Sequence, residues 1–223
     1  MRSYLPGVVF VLQMLASAAT PAAAADMTVR VVDAGGRPVA DVVVTVRPGG
    51  PDGAAVPRDA PPRTAILDQR NLAFEPRVLV VATGTQVSFP NSDSVSHQVY
   101  SFSAAKKFQL PLYKGAPHAP VSFDRPGLVV LGCNIHDQMV GYVVVTDAPY
   151  FGKTDSAGEF RISGMPAGPV RVSIWSPYIA DPPAALDRNV QVIDGGPAQV
   201  RMSLTRPLRA EPEPRPGRAA WEY

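Results

Sequence analysis

The residues with the most chemistry to offer lie in one short run, Gly132-Cys133-Asn134-Ile135-His136-Asp137-Gln138-Met139. Thiolate, imidazole and thioether at a Cys-x2-His-x2-Met spacing are the soft and borderline donors that suit Cu(I) and Cu(II). Two His and one Cys in a trigonal set, with a long axial Met, make the blue-copper electron-transfer site. The run lacks only one His. Given 3 His and 6 Met in the whole chain, chance puts His at the third and Met at the sixth position after the single Cys about once in 2,800 trials. Composition alone therefore does not account for the motif.

Two histidines can supply the missing nitrogen. His97 follows Val87-Ser88-Phe89-Pro90-Asn91-Ser92-Asp93 and opens the β-patterned run Gln98-Val99-Tyr100-Ser101-Phe102, which predicts a strand start on a packed scaffold. His118 sits in Ala116-Pro117-His118-Ala119-Pro120, a proline-flanked loop with little to orient a ring. The spacing favours His97 as the ligand and His118 as a solvated loop residue.

The first 25 residues have the form of a secretory leader: Arg2, an apolar stretch from Leu5 to Leu15, and Ala23-Ala24-Ala25 before Asp26. No other segment approaches the roughly 20 apolar residues of a membrane span. Export gives the lone Cys133 meaning, because a thiol in an oxidising compartment is paired, lost or put to use, and here it has no partner within the chain. Nucleophile, redox sensor, intermolecular disulfide and metal ligand are the uses open to it. The net charge of +2, with both signs interspersed, provides no basic stripe for nucleic acid.

The elements that must position these residues are strands. Val87 and Phe89, then Val170, Val172 and Ile174, then Val200, Met202 and Leu204, alternate with polar neighbours. Val78 to Val81 and Tyr142 to Val145 read as core strands, and turn signals such as Thr83-Gly84-Thr85 and Asp155-Ser156-Ala157-Gly158 separate the runs. No long stretch keeps a helical period, so the expected class is an all-β sandwich. Residues 51–63 read as a linker, and residues 206–223, with four prolines and mixed charge, as a disordered tail.

Residues 64–146 resemble a cupredoxin. The resemblance is carried by Phe74-x-Pro76, the strand Val78 to Val81, Gly84-Thr85-x-Val87-x-Phe89-x-Asn91-x-Asp93-x-x-x-His97, Gly127, the Cys-x2-His-x2-Met loop and a final apolar strand. The short loop is similar to that of amicyanins. With the flanks included, the chain most resembles the methylamine-utilisation-type cupredoxin proteins of Gram-negative bacteria. The resemblance implies one type 1 copper per chain, with His97, Cys133 and His136 equatorial and Met139 axial. Amicyanins and plastocyanins usually carry Asn directly after the first His. Here that position is Gln98, which leaves Asp93 or a backbone amide to brace the site.

The flanks form a second pattern. Thr28 through Val46, and later Thr154-Asp155-x-x-Gly158-x-Phe160-x-Ile162 with Pro166-x-Gly168-x-Val170-x-Val172-x-Ile174, resemble a carboxypeptidase regulatory-like domain. Neither half is long enough to be stable as a sheet alone. The expected layout is a cupredoxin Greek-key β-sandwich, residues 64–146, inserted into a smaller sandwich built from 26–50 plus 147–205, with Trp175 in its core.

The function implied is that of a periplasmic electron carrier, not an enzyme, serving redox proteins such as a cytochrome c or a dehydrogenase, with His136 as the electron port. Two alternatives stay open. One is a copper carrier or scavenger, which Met-rich or His-rich tracts would favour and which this chain lacks. The other is a Cys hydrolase or transferase built on Cys133 with a general base.

Overall fold

The computed structural model describes residues 25–49, 63–193 and 195–210. Nearly all of the expected leader and linker, and most of the expected tail, lie outside the described residues. The first strand begins one residue ahead of the expected start at 26, because Ala25 is buried and pairs with Met165.

Seventeen strands follow one another: β1 (Ala25–Val32), β2 (Val43–Pro48), β3 (Thr64–Ile66), β4 (Asp68–Arg70), β5 (Ala73–Glu75), β6 (Val78–Ala82), β7 (Thr85–Ser88), β8 (His97–Ser103), β9 (Lys106–Tyr113), β10 (Val121–Phe123), β11 (Gly127–Gly132), β12 (Val140–Thr146), β13 (Tyr150–Lys153), β14 (Glu159–Met165), β15 (Gly168–Trp175), β16 (Asp187–Val192) and β17 (Ala198–Ser203). The only helical piece among the described residues is a single 3-10 turn, Pro183–Leu186. The chain is all-β, and its strands form sandwiches.

The middle of the sequence builds one of them. A five-stranded sheet in the order β6-β12-β11-β8-β9 faces a three-stranded sheet in the order β10-β7-β3. Two joins are parallel, β12 to β6 and β3 to β7, and the others are antiparallel. The period-2 alternation puts Val129 and Leu131 of β11 inside and Leu128 and Val130 outside. Phe89 and Phe123 from one layer meet Val99, Val129 and Val143 from the other, and Cys133 and Met139 belong to the same apolar cluster.

The ends of the described chain build the second sandwich. β1 lies between β14 and β17, and β2 lies between β13 and β15. Each of the two N-terminal strands is thus an interior strand of its sheet. Their core holds Met27, Val29, Val44, Val172, Ile174 and Met202, and it shares no residue with the first core. Trp175 departs from its expected place. It ends β15 half-buried, with its ring edge-on to Tyr142 of the other sandwich at 5.6 Å. Alternation along β15 turns Val172 and Ile174 inward and Trp175 outward, so it packs in the crevice between the two units beside Leu128 and Val144.

Removing an interior strand exposes two edges at once. Deletion of residues 26–50 should therefore abolish cooperative folding of the 147–205 region, while the 64–146 region keeps its own unfolding transition in calorimetry. A soluble, cooperatively melting 147–205 fragment would contradict this pairing.

Candidate metal centre

His97 is the first residue of β8 and is fully buried. The loop that delivers it is closed from within by Asn91. Its side-chain amide donates to the carbonyls of Val95 (3.0 Å) and Tyr113 (2.9 Å), and its Oδ1 accepts from the Asp93 amide at 3.0 Å. Asp93 then faces the imidazole, with its Oδ2 2.7 Å from His97 Nε2. The same carboxylate accepts the backbone N–H groups of Asn71 (2.7 Å) and Leu72 (2.9 Å). These two residues form the β4–β5 turn, at φ values of 53° and 59°. An otherwise costly left-handed pair is held where its amides point at one carboxylate. These amides and the imidazole outweigh the effect of burial and hold the Asp93 carboxyl below its ordinary 3.8.

A carboxylate on Nε2 fixes the tautomer of His97. Nε2 carries the proton and Nδ1 presents a lone pair. That lone pair lies 3.1 Å from His136 Nδ1 and 3.9 Å from Cys133 Sγ, while Cys133 Sγ is 3.8 Å from His136 Nδ1. The donor atoms of His97, Cys133 and His136 all lie within 4.8 Å of one another. Two imidazole nitrogens this close repel unless a proton or a cation lies between them. Two nitrogens and a sulfur with no opposing donor are a set that fits copper.

The short loop supplies the other ligands. Cys133 follows the last residue of β11 and is 2% exposed. The Met139 amide donates to the His136 carbonyl at 2.9 Å and the Val140 amide to the Gln138 carbonyl at 3.0 Å, which turns the chain tightly into β12. Met139 is buried beside Cys133 in the apolar cluster. His136 is half-buried, and its neighbour Ile135 is 40% exposed. Burial, reinforced by the charge His97 can carry, lowers the pKa of His136 from the ordinary 6.5. His118 stays outside the cluster, exposed, with its ring edge-on to Tyr113 at 4.8 Å.

A polar layer beneath the site has no simple sequence signal. Gln69, fully buried, donates through Nε2 to the Pro90 carbonyl (3.1 Å) and to Tyr113 Oη (2.5 Å), and Tyr113 in turn donates to the Phe89 carbonyl. Burial pushes the Tyr113 hydroxyl up to about 12. Within the described residues, Gln69 Oε1 is left without a partner.

No family model matches the chain, and no curated protein matches it. Solved structures do. A copper-containing nitrite reductase from Thermus scotoductus SA-01 is 25% identical over 41% of this chain and 25% of its own, with a TM-score of 0.34. The chain spans about a quarter of that enzyme's length. A reduced amicyanin variant is 23% identical over 39% of this chain and 86% of its own, and a Cu(I) form of a second variant is 21% identical over 46% and 97%, both at a TM-score of 0.34.

Acid should weaken the metal-free protein in two windows. Because folding lowers the pKa of His136, the unfolded chain binds its proton more tightly. Stability is then complete above about 6.5 and declines as pH falls from there toward the folded value. Asp93, also lowered, contributes above about 3.8, and that contribution disappears as pH falls through its folded value. Thermal melts from about pH 8 to about pH 3 should show both declines. His136→Gln should remove the upper one, and an unchanged upper window in that variant would contradict the assignment.

Proposed function

We propose that this chain is a type 1 copper protein of the cupredoxin kind that carries single electrons in the periplasm between redox partners such as a cytochrome c or a dehydrogenase. The observation that carries the proposal is the convergence of His97 Nδ1, His136 Nδ1 and Cys133 Sγ within 4.8 Å. In this reading His97, His136 and Cys133 would hold copper, with Met139, buried in the same cluster, as the further donor. Copper bound there supplies a one-electron Cu(II)/Cu(I) couple. The chain's own groups do the rest. Asp93 holds His97 in one tautomer, the tight turn at Met139 fixes the loop, and the apolar core keeps water from the thiolate.

Burial favours a resident site over an exchangeable one. His97 is 0% and Cys133 2% exposed, so a copper carrier that passes its ion on would have to open its core. The same burial leaves no approach for a substrate to the Cys133 thiol, which argues for a carrier of electrons and against an enzyme. His136 is the ligand nearest solvent, and Ile135, Val95 and Leu72, exposed by 40%, 43% and 40%, adjoin the ligands or their brace. An apolar patch at that end suits a partner that docks over His136. The periplasmic placement rests on the leader-like N-terminus. Among the described residues no helix is long and apolar enough to cross a membrane.

The domain layout belongs to the same proposal: a cupredoxin unit, residues 64–146, within a carboxypeptidase regulatory-like unit of 26–50 plus 147–205. The separate cores and the pairing of β1 and β2 with strands beyond residue 149 support it.

Titration with Cu(II) should give one equivalent of an intense blue thiolate-to-copper absorption. Cys133→Ser should abolish the band, His97→Ala should lose its blue character, and His118→Ala should leave it unchanged. A colourless complex, or one that needs His118, would refute the ligand set.

A further inference from the structure

The outer face of the five-stranded sheet carries features that docking over His136 does not use. Strands β8 and β11 turn Val99, Val129 and Leu131 inward, so Tyr100, Phe102, Leu128 and Val130 point away from the core. Phe102 is 76% exposed, and Leu128 and Val130 are 38% and 40% exposed. Tyr100 pairs with Gly132 across the β8–β11 join, and its ring lies on that glycine's backbone. A Cβ at position 132 would sit 2.8 Å from Tyr100 Cζ and Oη, so only glycine admits this contact. Gly132 is bonded to Cys133. The Tyr100 and Phe102 rings lie 5.3 Å apart. An unbroken series of contacts therefore runs from the buried thiol through one peptide unit and two aromatic rings to solvent, and a shallow groove lined by Tyr100, Phe102, Val130 and Val140 follows it.

The rim of this face is cationic. Lys107 is the cross-strand partner of Phe102, Lys106 opens β9, and Arg125, in the β10–β11 loop, lines the same cleft as the β8–β9 turn. Among the described residues lining that cleft the one acid is Asp124, which already lies 3.8 Å from Lys106 Nζ. Exposed apolar centres with aromatic anchors mark docking surfaces, and a charged rim selects partners of the opposite sign.

We propose that this face is a second docking surface, for a one-electron carrier protein whose contact patch is ringed by carboxylates, with Tyr100 and Phe102 as positioning residues for exchange through Gly132 and Cys133. The inference rests on the copper reading above. In the exchange one electron passes from the reduced site to the partner's cofactor, so the site is oxidised by one and the partner reduced by one. The reverse passage reduces the site, and no bond or proton changes hands.

The test uses the full chain, isotopically labelled, copper-loaded and reduced, titrated with an acidic plant-type two-iron ferredoxin and followed by NMR. Amide shifts should concentrate in residues 100–107 and 128–132 and should fade with added salt. Phe102→Ala and, separately, Lys107→Glu should each weaken binding about ten-fold. Both should leave the blue absorption of the Cu(II) form unchanged, and both should slow its bleaching by reduced ferredoxin. Shifts confined to residues 134–138, or variants that bind like the parent, would overturn the proposal. So would shifts in the Phe102 face on simple dilution, which would mean a second copy covers it, or on deletion of residues 211–223, which would mean the chain's own tail does. The copper reading fails separately, by loss of the blue band, and the same titration of metal-free protein still reports on the face.

Discussion

Two imidazole nitrogens 3.1 Å apart beside a buried thiol need a proton or a cation between them. With Nε2 of His97 donating to Asp93, the Nδ1 lone pair is turned toward His136 and Cys133 in an apolar surround, ready for a proton or a cation. The surrounding fold must hold them there. It does so by closing the 91–97 loop on Asn91, by clamping Asp93 between two backbone amides and an imidazole, and by turning the 133–139 loop sharply into β12. Donors held in place in this way are prepared for a cation, because little rearrangement remains to be made on binding.

The second sandwich is joined to the first at the end away from the donors. β12 leaves the loop at Val140 and reaches the junction at Thr146, a span of about 20 Å at the rise of an extended strand. The two units meet there through Arg47 and Asp147 at 2.5 Å, and the Trp175 ring also reaches Tyr142, nearer the start of β12. The Arg77 guanidinium, 5.6 Å from the Tyr178 ring, adds a third contact. Changes at Arg47 or Asp147 act on the donors only through the length of a strand, whereas changes at Asn71 or Leu72 act through a single carboxylate.

Much of this was legible in the sequence because the informative features are local. The Cys-x2-His-x2-Met run and the strand start at His97 each lie within a few residues, and alternation along β7, β11 and β15 reports burial directly. Asp93 was legible as a candidate brace because Gln98 stands where amicyanins and plastocyanins usually carry the bracing Asn. Features that depend on distant chain segments were not. Nothing near Gln69 signals that a fully buried amide will meet Tyr113, 44 residues on. The left-handed turn at Asn71-Leu72 lacks the glycine that marks such turns, since its stabilisation comes from Asp93. Trp175 was expected in the core of the small sandwich, although the alternation of Val170, Val172 and Ile174 puts it on the other face, and the placement of the other sandwich makes it a contact between units. The parallel pairing of β1 with β17 likewise joins residues some 170 positions apart and leaves no local pattern.

X-ray absorption at the copper edge of the loaded protein tests the central claim most directly, because it counts and types the atoms around the metal without reference to colour or partner. The account predicts one short sulfur and two imidazole nitrogens in the first shell, with the sulfur lost in Cys133→Ser and one imidazole lost in His97→Gly. A first shell of nitrogen and oxygen only, unchanged by either substitution, would contradict it.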